Sequence, residues 1–330
     1  MRKIIEFKRK PYIISSAAVG GREEREGPLG KFFDFTDPTD RFSKDTWEKA
    51  EGEMGRLSLS FAIKKAGIEA SALEVLFAGD LENQCVASSG GLYSFGIPYI
   101  GLYSACSTCT EALLLLSEMI SSGAVDIGAT VTTSHNSAAE RQFRTPIEYG
   151  AQRTPTSQWT ATAAGSFILS AEGESEIYID KALIGKIVDG LSTDGSAMGP
   201  AMARAAYDSI YTYLSLTGEN DIDAIFTGDL GKIGSDVLRE MIRRDFPRAA
   251  EIHEDCGTLL YDMNKRNVNA GASGCGCSAS VLSSFILPKL IKGEYKNILF
   301  LSTGALMSPQ SILQKENILG IAPVINIRRK

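Results

Sequence analysis

Tyr103-Ser-Ala-Cys-Ser-Thr-Cys-Thr-Glu-Ala-Leu-Leu-Leu-Leu116 is the stretch that decides the fold. It places Cys106 among small residues, where an extended run gives way to a helix that is apolar on every side. Such a helix has to be buried all round. A thiol at its start lies near unpaired backbone N–H groups, which favour a thiolate or another anion. Cys106 therefore fits a nucleophile, and it fits a pocket for a carboxylate ligand equally well.

The other cysteines allow further interpretations. Cys106 and Cys109 form a C-x-x-C pair, and Cys275 and Cys277 form a C-x-C pair. Together they could bind zinc, but the C-x-C spacing and the position of both pairs at the start of buried helices disfavour it. A redox pair lacks a recognisable βαβ context. Apart from Cys106, we favour small buried core residues, and we expect neither a metal site nor a cofactor.

Two pairs of matching segments indicate an internal duplication. Phe77-Ala-Gly-Asp-Leu81 and Phe226-Thr-Gly-Asp-Leu230 each follow a short β-type run. The apolar helical segments 104–123 and 274–293 each begin with small residues and cysteine, end at glycine and precede a strand. We therefore predict an α/β protein with two halves, residues 1–172 and 173–330, whose central helices are sandwiched between sheets. Pro288 should kink or end the second central helix.

Charge and hydropathy exclude two classes of function. The net charge is −6 and the sequence has no basic stripe, so nucleic acid is not an expected partner. The longest uncharged run, 83–110, is interrupted by Gly, Pro and Ser, so we expect no transmembrane segment. No secretory leader is visible at the start of the sequence, and reduced thiols are therefore expected.

Several motifs resemble the thiolase superfamily, which includes thiolases and β-ketoacyl synthases. Ala105-Cys106-Ser-Thr108 is similar to its nucleophile motif, and Gly165–Ser170 resembles the strand that closes the first half. Gly304–Ser308 resembles the last loop, whose backbone N–H helps form the oxyanion hole. The resemblance covers essentially the whole chain. It implies a five-layered α-β-α-β-α fold with two duplicated halves, and a homodimer built on the strand Gly165–Ser170.

The same resemblance raises a difficulty for catalysis. Superfamily synthases support their cysteine with two His, or with His and Asn. His253 stands where the first histidine is expected, and Ser273 stands at the place of the second. Serine has no basic lone pair near neutral pH, so a Claisen condensation is disfavoured. The alternative is an acyl-transfer enzyme with Cys106 as nucleophile and His253 as base.

Longer strings resemble one family within this superfamily, the stage V sporulation protein AD family. They are Glu23–Lys31, Ala78–Gln84, Ser134–Asn136, Ala139–Arg144, Glu148–Gly150 and Gly304–Pro309. The resemblance implies that a retired active-site pocket binds dipicolinic acid, free or as its calcium complex. It implies a role in calcium dipicolinate uptake into the forespore. It also implies membrane-protein partners of the same system and a peripheral location on the cytoplasmic face of the forespore or spore inner membrane.

A flat aromatic dianion needs hydrogen-bond donors and little competing carboxylate. The helix start at Cys106, the ring of His253 and nearby hydroxyls could supply donors, and arginine binds carboxylates through two bonds. The predicted ligand-binding residues are Cys106, Thr132, Ser134, Arg144, His253, Ser273 and Gly304. Two purely structural interpretations remain beside this one: a buried histidine at 253 whose hydrogen bonds are satisfied within the core, and surface ion pairs of Arg141 and Arg144 with Glu140 or Glu148. A third function is a docking subunit with a vestigial pocket.

Overall fold

The computed structural model describes residues 2–143, 153–264 and 268–330. Its strands are β1 (Ile5–Glu6), β2 (Tyr12–Gly20), β3 (Phe35–Thr36), β4 (Val75–Gly79), β5 (Tyr99–Gly101), β6 (Ile127–Ser134), β7 (Trp159–Thr160), β8 (Ala163–Ser170), β9 (Ile177–Leu183), β10 (Val188–Asp189), β11 (Ala224–Thr227), β12 (His253–Asp255), β13 (Ala272–Ser273), β14 (Asn297–Leu301), β15 (Gly304–Leu306), β16 (Leu319–Ile321) and β17 (Val324–Arg329). Its helices are α1 (Arg22–Glu26), α2 (Trp47–Ala66), α3 (Val86–Leu92), α4 (Thr108–Ser121), α5 (Asn136–Phe143), α6 (Met198–Thr217), α7 (Gly231–Arg243), α8 (Pro247–Glu251), α9 (Cys256–Leu260), α10 (Cys275–Val281), α11 (Leu287–Ile291) and α12 (Pro309–Leu313).

The strand order repeats between the two halves. One array runs β5-β4-β6-β8-β2, and the other runs β12-β11-β14-β17-β9. In both arrays the first three strands are parallel and the last two pairings are antiparallel. The arrays join through one residue pair, Tyr12 with Tyr178. The expected boundary at 172/173 lies in the connection between β8 and β9, where one array ends and the other begins.

The central layer consists of the two apolar helices. Helix α4 contacts β4 and β6 of the first array and β17 of the second, and α10 packs on β6, β8 and α4. Leu113 and Leu116 are fully buried there, and each such side chain contributes about 2 kcal/mol of burial free energy. Between α10 and α11 the chain makes a π-helical turn, Leu282–Ile286. Pro288 therefore falls in the first turn of α11, where its missing N–H is tolerated, and the helical run continues to Ile291.

Two outer layers of helices bring the number of layers in the fold to five. Helices α2 and α3 pack on the outer face of the first array, and α6 and α7 cover the second. Thr46 caps α2 by accepting from the backbone N–H of Lys49 at 3.3 Å, and Gly67 ends it at φ +67°. The layered α/β prediction is therefore confirmed. No helix of the described residues is long and apolar enough to cross a membrane.

One expectation about assembly needs correction. The strand proposed for a dimer contact, Gly165–Ser170, belongs to β8, which lies between β2 and β6 and is buried along its whole length. It offers no free edge to a second copy. The edge strand of the first array is β5, and all three of its residues are exposed.

Candidate functional site

The turn before α4 presents Cys106 to the interior. Ala105 adopts φ +48°, a left-handed conformation that costs a residue with a side chain about 1 kcal/mol. The hydroxyl of Ser107 donates to the carbonyl of Ser104 at 2.7 Å, and that of Thr108 donates to the carbonyl of Ala105 at 2.7 Å. These bonds hold the turn, and the Cys106 side chain is only 6% exposed.

The side chain that meets Cys106 is Asp229, which follows β11. The thiol donates to the Asp229 carboxyl, whose other partners are the Thr303 hydroxyl at 2.8 Å and the Gly274 backbone N–H at 2.8 Å. Burial raises the pKa of Asp229 to about 7, although these hydrogen bonds oppose the shift. Burial and the Asp229 carboxyl together hold the pKa of Cys106 well above its usual range. The thiol is therefore kept protonated, which makes it a weak nucleophile.

Three of the predicted site residues lie around this pair. A Cβ on Gly274, the neighbour of Ser273, would stand 2.7 Å from the Ser134 hydroxyl oxygen, and Ser134 also accepts from the Gly276 N–H at 3.1 Å. A Cβ on Gly304 would lie 2.7 Å from the Ser104 carbonyl oxygen. Ser134, Ser273 and Gly304 thus converge on the Cys106 turn through Gly274 and Asp229. Thr132 is buried on β6, two residues before Ser134 and on the same face of the strand.

His253 has a different neighbourhood. Its Nε2 lies 2.8 Å from the Thr227 hydroxyl oxygen, and its Nδ1 has no hydrogen-bond partner among the described residues. Burial, aided by the charge of Arg239, lowers the pKa of His253 to about 3, so the ring is neutral. Thr227 also donates to Asp255 at 2.7 Å. No described contact joins His253 to Cys106, and the position beside the thiol belongs to Asp229.

Arg141 and Arg153 do not offer free guanidinium groups. Arg141 pairs with Glu48. Arg153 pairs with Glu140 at 3.0 Å and lies over the Trp159 ring at 4.6 Å. The predicted ligand residue Arg144 lies outside the described residues. Trp159 stands opposite Ala272 in the pairing of β7 with β13, one residue from Ser273.

Both ring nitrogens of His135, the other histidine of the chain, form contacts with nearby backbone groups. Its Nε2 lies 2.9 Å from the carbonyl of Asp40, and its Nδ1 accepts from the backbone N–H of Ser137 at 3.1 Å. Burial lowers its pKa. Its ring lies 5.2 Å from that of Trp47. These contacts identify it as a residue that supports the turn after β6.

Sequence reasoning missed the buried carboxyls. Asp229 and Asp80 are not among the predicted site residues, yet both are buried at the ends of equivalent strands. Glu51 on α2 accepts from the Thr133 hydroxyl at 2.9 Å, and burial with nearby Asp80 and Glu82 raises its pKa well above its usual range. Burial also raises the pKa of Glu82 to about 7. The repeated Phe-x-Gly-Asp-Leu was the available signal, because the ends of parallel strands are where sites assemble.

The side chains present at the site determine which kinds of ligand it could hold. Within the described ranges, no group of three or more His, Cys, Asp or Glu side chains is arranged to hold a metal ion. What converges at Cys106 is a thiol, a proton-bearing carboxyl, small hydroxyls and the first turn of α4. This set donates hydrogen bonds and lacks an imidazole base in contact with the thiol.

Comparison with known proteins gives the same fold. The family model for stage V sporulation protein AD matches residues 1–328. Stage V sporulation protein AD of Bacillus subtilis (strain 168) is 36% identical over 319 residues, which are 96% of this chain and 94% of that protein.

Solved structures agree in architecture. A variant of OleA from Xanthomonas campestris has a TM-score of 0.62 at 11% identity, covering 98% of this chain and 99% of that one. The 3-oxoacyl-[acyl-carrier-protein] synthase III of Aquifex aeolicus VF5 has a TM-score of 0.59 at 12% identity, covering 96% and 99%. Identities this low show the fold alone, and that fold is thiolase-like.

Proposed function

This chain belongs to the stage V sporulation protein AD family, and we propose that it serves sporulation by binding dipicolinic acid during calcium dipicolinate uptake into the forespore. The pocket at Cys106 is the proposed binding site. Cys106, Asp229, Ser134, Ser273 and Gly304 are its proposed residues. Membrane proteins of the same uptake system, at the cytoplasmic face of the forespore inner membrane, are the proposed partners.

The pairing of the Cys106 thiol with the buried carboxyl of Asp229 carries this proposal. An acyl-transfer enzyme needs a thiolate, and an adjacent imidazole is the usual means of producing one. A carboxyl beside the thiol does the opposite, because two negative charges in a buried site repel each other. The site is therefore better suited to holding a ligand than to attacking a thioester.

A dicarboxylate fits the donors that remain. Below pH 7 Asp229 is mostly protonated, and it and the Cys106 thiol are then neutral groups with hydrogens to donate. The start of α4 offers the positive end of the helix dipole, which favours a carboxylate. Gly274 and Gly304 allow the neighbouring backbone segments to pack closely around the Cys106 turn, because a Cβ at either position would meet other protein atoms.

Calorimetric titration with dipicolinate, with and without calcium, tests the proposal. Saturable binding by the wild type should be lost in Cys106→Ala and kept in Cys256→Ala, which removes a buried thiol from the core elsewhere. An equal effect of both substitutions, or no binding by the wild type, refutes the proposed site. An acyl group found on Cys106 after incubation with an acyl thioester would instead favour the acyl-transfer alternative.

We also propose a homodimer that uses the edge strand β5. Tyr99 and Ile100 are each 39% exposed on that strand, next to Tyr103 at 49%. An exposed apolar edge strand readily pairs with another chain. Ile100→Lys should shift the protein toward the monomer in sedimentation experiments, whereas Ile184→Lys, at a more exposed apolar position on the second half, should not. Unchanged association in Ile100→Lys would remove β5 from the interface.

A further inference from the structure

A groove of about 570 Å³ opens where the two strand arrays diverge. It lies between the start of β2, the end of α2, the connection 172–176 and helix α11. Ile13, Ile177 and Leu287 form a buried apolar floor, and Ile291 extends it to the surface with 63% of its side chain exposed. The apolar floor is open to solvent through the groove, so apolar side chains of another molecule can pack on it.

The rim of this groove is negatively charged. Glu172, Glu174 and Glu176 line it and are exposed. Arg329 neutralises Glu176 through an ion pair at 2.6 Å. Glu172 and Glu174 form no ion pair with any residue in the described part of the chain. The groove therefore repels dicarboxylates such as dipicolinate and attracts basic groups.

One wall of the groove is an unfilled strand edge. On the side away from β8, strand β2 pairs with β9 only at Tyr12 and with β3 only at Val19 and Gly20. No strand of the described ranges lies against the segment Ile13–Ser16 on that side, and the register slips by one residue at Ile14. Side chains cover the two outward carbonyls instead. Ser175 donates to the carbonyl of Ile13 at 2.7 Å, and Lys65 donates to that of Ser16 at 2.8 Å.

We propose that this groove binds an extended basic segment of a partner protein, which adds as a strand to β2 at Ile13–Ser16. The main chain of the segment supplies the N–H groups that the two side chains now replace. Alternate residues of a strand point to opposite faces, so apolar side chains reach the floor while Lys or Arg side chains reach Glu172 and Glu174. Strand addition to a free edge takes its affinity from the backbone and its specificity from such alternation.

A synthetic decapeptide of alternating lysine and valine, with a fluorescent label, is the probe for the full-length protein. Fluorescence anisotropy should show saturable binding that Glu172→Lys/Glu174→Lys weakens at least tenfold. The matched control Glu251→Lys/Glu316→Lys reverses two exposed carboxylates outside the groove and should change affinity less than twofold. Melting temperatures of both double variants establish that each is folded.

Two further measurements separate strand addition from simple charge attraction. A probe N-methylated at alternate residues cannot complete the backbone ladder and should bind at least tenfold more weakly. Hydrogen exchange should slow at Ile14–Ser16 when the unmodified probe is bound. Equal weakening by both double variants, equal binding of the methylated probe, or unchanged exchange at these amides would each overturn the proposal. Tighter binding of a basic amphipathic helix than of the alternating probe would overturn it as well.

Discussion

Asp229→Asn converts the carboxyl beside Cys106 into a neutral amide of the same shape. Asparagine resembles the protonated aspartic acid, because it both donates and accepts hydrogen bonds. The pKa of Asp229 is raised to about 7 by burial. Below that value the wild-type site is neutral, and above it the site carries a negative charge close to the bound dianion. The affinity of the wild type for dipicolinate should therefore fall as the pH rises through 7.

Linkage gives the magnitude. If the ligand binds only when Asp229 is protonated, affinity falls about tenfold for each pH unit above the pKa, or about 1.4 kcal/mol. Between pH 6 and pH 8 the wild type should lose about tenfold, while Asp229→Asn should change less than twofold. The variant and the wild type should bind within about threefold of each other at pH 6.

Calorimetry at pH 6, 7 and 8 measures this dependence, and Asp236→Asn is the matched control. Asp236 is a carboxylate on the exposed side of α7, where it pairs with Lys232 at 2.9 Å. Its variant should follow the wild-type pH profile. A wild-type affinity that is flat from pH 6 to 8, or an Asp229→Asn profile that falls as steeply as the wild type, would refute the role assigned to Asp229.

Three further predictions follow from the buried groups. Iodoacetamide should alkylate Cys106 at pH 7.5 at least tenfold more slowly in the folded protein than in urea, because the pKa of its thiol is raised; mass spectrometry showing fast labelling would contradict this. His253→Ala should lower the melting temperature by several degrees through loss of the Thr227 contact and a new cavity, while dipicolinate affinity stays within twofold; a tenfold loss of affinity would return His253 to the site. The folded protein should be more stable at pH 5.5 than at pH 8, because burial raises the pKa of Glu24 to about 7 from 4.5. A carboxyl with a raised folded-state pKa loses stability as pH rises through that window, and for this group the difference between pH 5.5 and pH 8 is about 2 kcal/mol. Glu24→Gln should flatten the profile of melting temperature against pH, and an unchanged slope would exclude Glu24 as its source.

The architecture could be predicted from the sequence because it depends on apolar helical segments and on segments that repeat along the chain. Strongly apolar helical segments around Leu113 and Leu287 are stable only in a central layer, and their repetition implies two equivalent halves. The repeated Phe-x-Gly-Asp-Leu segments do occupy equivalent strands, β4 and β11. These inferences depend on local pattern and composition, and both can be determined from the sequence without information on tertiary contacts.

The site was harder to predict because its members come from separate elements. Cys106, Asp229 and Gly274 meet only after both halves have packed, and no spacing in the sequence records that contact. The resemblance to the superfamily predicted His253 as a site residue. In the structure His253 lies on the edge strand β12 and contacts Thr227. A buried aspartate is rare unless it is hydrogen-bonded, so nothing in the sequence marked Asp229 as a member of the site. Its burial became evident only from the packing of β11 against α10 and the loop at Thr303.

The edge strand illustrates the same limit. Gly165–Ser170 and Tyr99–Gly101 both read as short strands, and sequence alone does not say which of them lies at the border of a sheet. The order of β5, β4, β6 and β8 resolves it. Strand order depends on the crossover connections through α3 and α4, which are tertiary features.

A crystal structure grown at saturating dipicolinate tests the central claim most directly. The account predicts that electron density for the ring lies at the start of α4, with one carboxylate within hydrogen-bond distance of Asp229 or of the Cys106 thiol. Ligand density at a different place on the protein, with the Cys106 pocket occupied only by water, would contradict it.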